Sequence, residues 1–197
     1  MELLWIAFGV GLVVGLAHLI GIVVSIVTEY RYWPPGERDW RFYATWTFSH
    51  LLNVAILVVT YLDWNALGLP RPSTLAVGGV LVVVGFAVAL KGGRDLGGEE
   101  TLGLEGELQV DGLYRYSRNP QYVGYAVATV AFVLVAGSAY ATVLLAIYLS
   151  WWLLLPFAEE PWLREQYGDA YERYCERVPR FVGVQSVRAV SSGTAGE

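Results

Sequence analysis

Long uncharged runs alternate with short charged ones along this chain. Leu3 to Thr28 carries no formal charge over 26 residues, Phe42 to Leu62 none over 21 and Ser73 to Leu90 none over 18. After a polar stretch, Tyr122 to Ala158 is uncharged for 37 residues. A spanning helix needs about 20 mostly apolar residues, because each adds about 1.5 Å across a hydrocarbon core about 30 Å thick. The fourth run is too long for one helix and is interrupted at Ala136-Gly137-Ser138, a helical-hairpin signal. The pattern predicts an all-α bundle of five transmembrane helices, over about 3–28, 42–62, 73–90, 120–137 and 138–158. An amphipathic helix should follow from Trp162 to Val178. Its Leu163, Tyr167, Tyr171, Tyr174 and Val178 recur three or four residues apart, with Arg164, Glu165, Asp169, Arg173 and Glu176 between them. Such a helix lies on the membrane surface or folds over a neighbouring loop.

Composition narrows the classes. Of 197 residues, 55% are hydrophobic and 16% charged, which excludes a typical soluble domain and general disorder. The formal charge of −5 argues against a nucleic-acid surface, which needs a basic excess. One cysteine and two histidines exclude an intrachain disulfide and a Cys- or His-rich metal cluster. Residues 1–182 read as one membrane domain, and 183–197, rich in Ser, Gly and Ala, as a disordered tail. Met1-Glu2 lacks a basic n-region, so the first run is expected to stay as a span rather than be cleaved as a signal.

Five spans put the termini on opposite sides. Twelve of the thirteen Lys and Arg then share one side, and only Arg71 lies on the other. The positive-inside rule makes the twelve-residue side cytoplasmic, with the N-terminus outside. Gly11 and Gly15, and Ala17 and Gly21, fit close helix packing. His18, His50 and Asn53 fall at mid-depth, where polar groups either bond to neighbouring helices or line a substrate tunnel.

Two cytoplasmic segments carry chemistry. The first, Lys91 to Gln121, holds seven glycines in 31 residues and reads either as a flexible connector or as a ligand-contacting loop. It matches neither a dinucleotide fingerprint nor a P-loop. It ends at Asn119-Pro120, where Asn is placed to cap a helix and Pro to open it. That helix start also offers free N–H groups to an anion. The second segment is Glu159-Glu160-Pro161, whose carboxylates either begin a new helix at Pro161 or serve a site. Two crossings separate the segments, so both emerge on one side and are held together by the hairpin. The pair suits a zwitterion, with its carboxylate at the helix start and its cationic centre near the glutamates.

Gly112 to Gly124, reading GLYRYSRNPQYVG, resembles the motif that opens the core of the isoprenylcysteine carboxyl methyltransferase family. Glu159 to Leu163, with the segments 167–174 and 178–180, resembles its C-terminal motif. The resemblance covers about Arg94 to Phe181, and the wider superfamily includes phospholipid N-methyltransferases and thiol methyltransferases. It implies S-adenosylmethionine as cofactor, bound in a cytoplasmic core over about 91–181, and a lipophilic or small-molecule methyl acceptor, the lipophilic kind reached from the lipid bilayer. Carried over by position, Tyr114, Arg118, Asn119, Pro120, Tyr122 and Gly124 would line the cofactor site. Glu159 and Glu160 would close it, with Glu160, Arg94 and Arg164 as catalytic or orienting candidates. Where the family commonly has His, this chain has Asn119, which hydrogen-bonds but does not titrate near neutral pH. No metal is required. Two other classes compete: an NADPH-dependent membrane reductase of sterol-reductase type, and a scaffold without a nucleotide-like ligand.

Overall fold

The computed structural model describes residues 1–183 and 186. The tail expected from 183 onward lies outside them, apart from Gly183 and Ser186. The chain order is α1 (Glu2–Val27), α2 (Trp40–Leu62), α3 (Arg71–Leu96), a short α4 (Gly98–Thr101), a 3-10 turn (Gly112–Arg115), α5 (Pro120–Ala136), α6 (Ala139–Tyr167) and α7 (Asp169–Arg177). The β pairing among the described residues is a single bridge between Gly36 and Leu104. Helices α1, α2, α3 and α6 are long and apolar enough to cross a membrane; α5 is apolar but shorter, at 17 residues. The chain is a multi-pass integral membrane protein.

Side by side the helices run α2, α1, α6, α5, α3. Glycines set the close contacts. A Cβ at Gly11 would stand 2.8 Å from Leu144, and one at Gly15 3.1 Å from Ile147, as expected of small residues at membrane helix interfaces. On α3, Gly78, Gly85 and Gly92 recur every seven residues and all face α5. Backbone meets backbone at the middle of this seam: a Cβ on Gly124 would lie 2.5 Å from both Gly85 O and Ala89 N. The predicted hairpin forms at Gly137, which takes the left-handed conformation (φ 57°), and Ser138 caps α6 by accepting from Ala141 N–H.

Two expectations are corrected. First, α3 does not end at Leu90 but continues six residues to Leu96, so the polar connection is neither 31 residues long nor bare loop. Charge at Lys91, Arg94 and Asp95 marks the end of lipid-compatible sequence, not of the helix. Gly92 lets the extension seat on Gln121 and Pro120, and Asp95 accepts from Lys91 and from Leu113 N–H at 3.0 Å. Second, no new helix opens at Pro161. Helix α6 runs unbroken through Pro156 and Pro161 to Tyr167, and the break falls at Gly168 (φ 51°). An internal proline removes a backbone hydrogen bond. Glu159 and Glu160, between the two prolines, are anchored to four other segments: the α1–α2 connection, the loop before α5, α5 itself and the segment after α7. The amphipathic stretch is thus divided between the end of α6 and α7, and it folds over the loop: Tyr171, Tyr174 and Val178 pack on Tyr114 in a small second core.

Candidate functional site

The hairpin sets the start of α5 beside the last turns of α6. Tyr122, one turn into α5, donates its O–H to Glu159 Oε1. Trp33, from the α1–α2 connection, donates its indole N–H to the same oxygen at 2.6 Å. Among the described residues, the second oxygen of Glu159 has no hydrogen-bond partner, and no cation pairs with the carboxylate.

Glu160 is the reverse case. It is buried and meets Arg118 Nη1 at 3.1 Å, Arg180 Nε at 2.6 Å and Arg164 Nη2 at 3.5 Å. These guanidiniums come from the loop before α5, the segment after α7 and α6 itself. Glu160 therefore ties three parts of the cytoplasmic layer together. The tie is reinforced by Arg118 N–H to Pro179 O at 2.9 Å and by Asn119 Nδ2 to Arg180 O at 2.9 Å. Asn119 occupies the expected cap position, yet its side chain spans to this segment instead of capping α5.

Next to Glu159 is a pocket walled by Tyr114, Tyr122, Tyr167, Tyr171 and Tyr174 together with Trp162. Burial pushes the phenols of Tyr114, Tyr171 and Tyr174 well above their ordinary pKa, so they are neutral donors. Two polar atoms of residues in this wall, Arg118 Nε and Trp162 Nε1, are buried behind its surface without a partner among the described residues. Unpaired buried donors are costly, and such donors on a pocket wall fit a ligand that supplies acceptors. Aromatic faces and one unpaired carboxylate suit a cationic centre.

A second cavity, of about 280 Å³, lies toward the middle of the bundle between α2, α5 and α6. It shares Thr101, Gln121 and Tyr122 with the first pocket. Its wall includes the ladder of Tyr122, Trp152 and Tyr125, with stacked rings 4.6 and 5.9 Å apart. Beyond it, an apolar recess of about 250 Å³ shares Asn53, Phe86, Tyr125 and Tyr148. Because α2 packs on α1 and α3 on α5, without substantial contact between α2 and α3, these cavities follow the seam between the two.

Of the residues named from sequence, Tyr114, Arg118, Asn119, Tyr122 and Glu159 line the first pocket together. Pro120 and Gly124 seat α5 against α3. Glu160 and Arg164 stand in the ion cluster, where Arg164 also pairs with Glu172 at 2.8 Å. Arg94 borders a separate shallow crevice that touches Thr101, Gln121 and Tyr125. His18 bonds Tyr32 O–H at 3.0 Å, and Asn53 donates to Tyr148 at 3.1 Å; both line the second cavity, as does His50. Sequence reading missed Trp33 and Gln121 as site residues, and took the tyrosines at 167, 171 and 174 as an apolar face and part of the C-terminal motif, not as pocket wall. The available signal was the aromatic-proline cluster Tyr32-Trp33-Pro34-Pro35 in an otherwise short connection.

Fold and site together define a polytopic helical membrane protein with an aromatic, carboxylate-bearing pocket at one end of the bundle, sharing a wall with a cavity within it. Residues 73–170, half of the chain, match the phospholipid methyltransferase family, and the chain belongs to that family, whose methyl donor is S-adenosylmethionine. It is 33% identical over 75 residues to the protein-S-isoprenylcysteine O-methyltransferase of Schizosaccharomyces pombe, a match covering 36% of this chain and 31% of the yeast protein. The chain thus spans under a third of the length of this curated relative. No solved structure matches it.

Proposed function

We propose that this protein is an S-adenosylmethionine-dependent methyltransferase whose acceptor is lipophilic and reaches the site from the bilayer. The observation that carries the reading is the shared wall of Tyr122, Gln121 and Thr101 between a polar pocket and a membrane-embedded cavity. Methyl transfer between a water-soluble donor and a lipid-soluble acceptor needs two such chambers meeting at one point.

The donor, when bound, supplies a methyl group already activated by its positive sulfur. Glu159 and the tyrosine rings are suited to hold the donor's cationic groups, the sulfonium and the ammonium that S-adenosylhomocysteine retains, and Arg118 and Trp162 to bond its polar groups. The enclosed part of the pocket is small, about 90 Å³, so most of the donor would lie toward the mouth beside Glu100, Glu107 and Tyr167. Asn119 needs only its hydrogen bond to Arg180 O for this role, which is why it can replace a titrating side chain. Arg94, on the crevice beside Gln121 and Tyr125, is placed to orient the acceptor's polar group, and Glu160 with Arg164 to position Arg118. The closed aromatic wall excludes water. An acceptor with a carboxylate or thiolate needs no base; a lipid amine would pass its proton to Glu159.

The proposed topology has α5 as a fifth, shorter span. Twelve of thirteen basic residues then face the cytoplasm with the site, and the N-terminus lies outside. Calorimetric titration of the detergent-purified protein with S-adenosylhomocysteine tests the activity class. Saturable binding that weakens in Asn119→Ala and Glu159→Gln is expected, with no binding of NADPH. Folded protein that binds NADPH, or neither ligand, would overturn the reading.

A further inference from the structure

The α1–α2 connection lies outside the residues 73–170 that match the family, yet it reaches into the site. Ser25, in the last turns of α1, accepts from both Tyr32 N–H (2.9 Å) and Trp33 N–H (3.0 Å), which fixes where the connection leaves the helix. Arg41 donates to Arg31 O at 2.7 Å and to Pro35 O at 3.0 Å, closing the connection on itself. On the other side Gly36 N–H bonds Gly103 O at 3.0 Å. Gly103 has φ 78°, and a Cβ there would stand 2.8 Å from the Trp33 ring. The indole is thus clamped between Gly103 and Glu159, and it is 5% exposed. It lines the membrane-side cavity, while Glu159 lines the polar pocket.

We propose that Trp33 is a positioning residue: its indole N–H holds the Glu159 carboxylate in place on the wall between the donor pocket and the membrane-side cavity. The inference rests on the two-chamber reading above and deepens it. Trp33 and Tyr122 donate to the same oxygen of Glu159, one from the connection and one from α5, leaving the second oxygen for a ligand. A buried indole N–H needs an acceptor, and here the acceptor is the Glu159 carboxylate at 2.6 Å. The titratable groups facing Glu159 are Tyr122, Tyr114 and the neighbouring Glu160. None of them replaces a donor lost from Trp33.

The test is infrared titration of the full-length protein in detergent. The protonated-carboxyl band of Glu159 is identified by its loss in Glu159→Gln. Trp33→Phe keeps the ring and removes the N–H, so the midpoint of that band should rise by about one pH unit or more, the size of one hydrogen bond to a charged group. S-Adenosylhomocysteine affinity, read calorimetrically on the same samples, should fall at least about threefold in Trp33→Phe. Trp33→Gln, which can still donate, should lie between wild type and Phe in both readouts. A Glu159 band unmoved in folded Trp33→Phe overturns the proposal, whatever the donor titration shows. Wild type that binds no S-adenosylhomocysteine overturns the methyltransferase reading instead, and the band shift then reports Trp33 alone.

Discussion

Adjacent glutamates in this protein do different work because their neighbours differ. Glu160 meets three guanidiniums, of which Arg118 is the least exposed. Removing one partner of a buried charge cluster leaves the others uncompensated and costs about 3–5 kcal/mol. Glu160→Gln should fall near the lower end, at about 3 kcal/mol, because Arg164 and Arg180 keep access to solvent. Thermal unfolding in detergent would read it. Glu159→Gln leaves that cluster intact and should lower donor affinity with little change in melting temperature. Asp95 gives a pH dependence. Lys91 and the Leu113 N–H hold its carboxyl below the usual carboxylate range. A depressed folded-state pKa means that its stabilisation is complete above about pH 4, the unfolded value, and is lost as pH falls through the depressed one. Asp95→Asn should therefore lower the melting temperature at neutral pH, where the stabilisation is complete, and converge on wild type in acid, which flattens the acid limb of the profile. Because Lys91 is mostly exposed, the Leu113 contact should dominate this effect.

Helix contacts decide which substitutions the bundle tolerates. Along α3, glycines at 78, 85 and 92 face α5, whereas Gly79 has open space around it. Gly124→Ala forces a methyl into backbone at 2.5 Å, so it should separate α5 from α3 and destabilise by about 1–3 kcal/mol or more. Gly79→Ala should stabilise by about 0.4–1 kcal/mol, because it limits the unfolded chain without a clash. Comparing their melting temperatures checks both signs. Since Gly85 and Gly124 also set the position of Pro120 and Tyr122, Gly124→Ala should weaken S-adenosylhomocysteine binding as well.

For the whole molecule, the proposed orientation is open to direct labelling. In a Cys175→Ser background, Leu67→Cys lies in the exposed α2–α3 connection and Glu107→Cys on the exposed polar layer. A membrane-impermeant maleimide should label position 67 on intact cells, and position 107 only after lysis. The opposite pattern would invert the topology.

Charge and hydropathy along the chain were enough to establish a helical membrane bundle, the hairpin at Gly137 and the polar layer around Asn119 and Glu159. Each of these depends on local composition and span length alone. The same signals misplaced the ends of α3 and α6. They register where lipid stops being tolerable, while a helix ends where its packing and backbone geometry stop, at Gly97 and Gly168. Sequence reading named Glu160 as a catalytic candidate and Glu159 only as a cofactor contact, but local order alone does not reveal their different partners, since both carboxylates sit on one helix with the same neighbours in the chain. Only the folded chain separates them, by bringing Trp33 from 126 residues away to one and three arginines to the other. Tertiary structure likewise turned a row of tyrosines into a pocket wall, because periodicity reports that a face is covered, not what it covers.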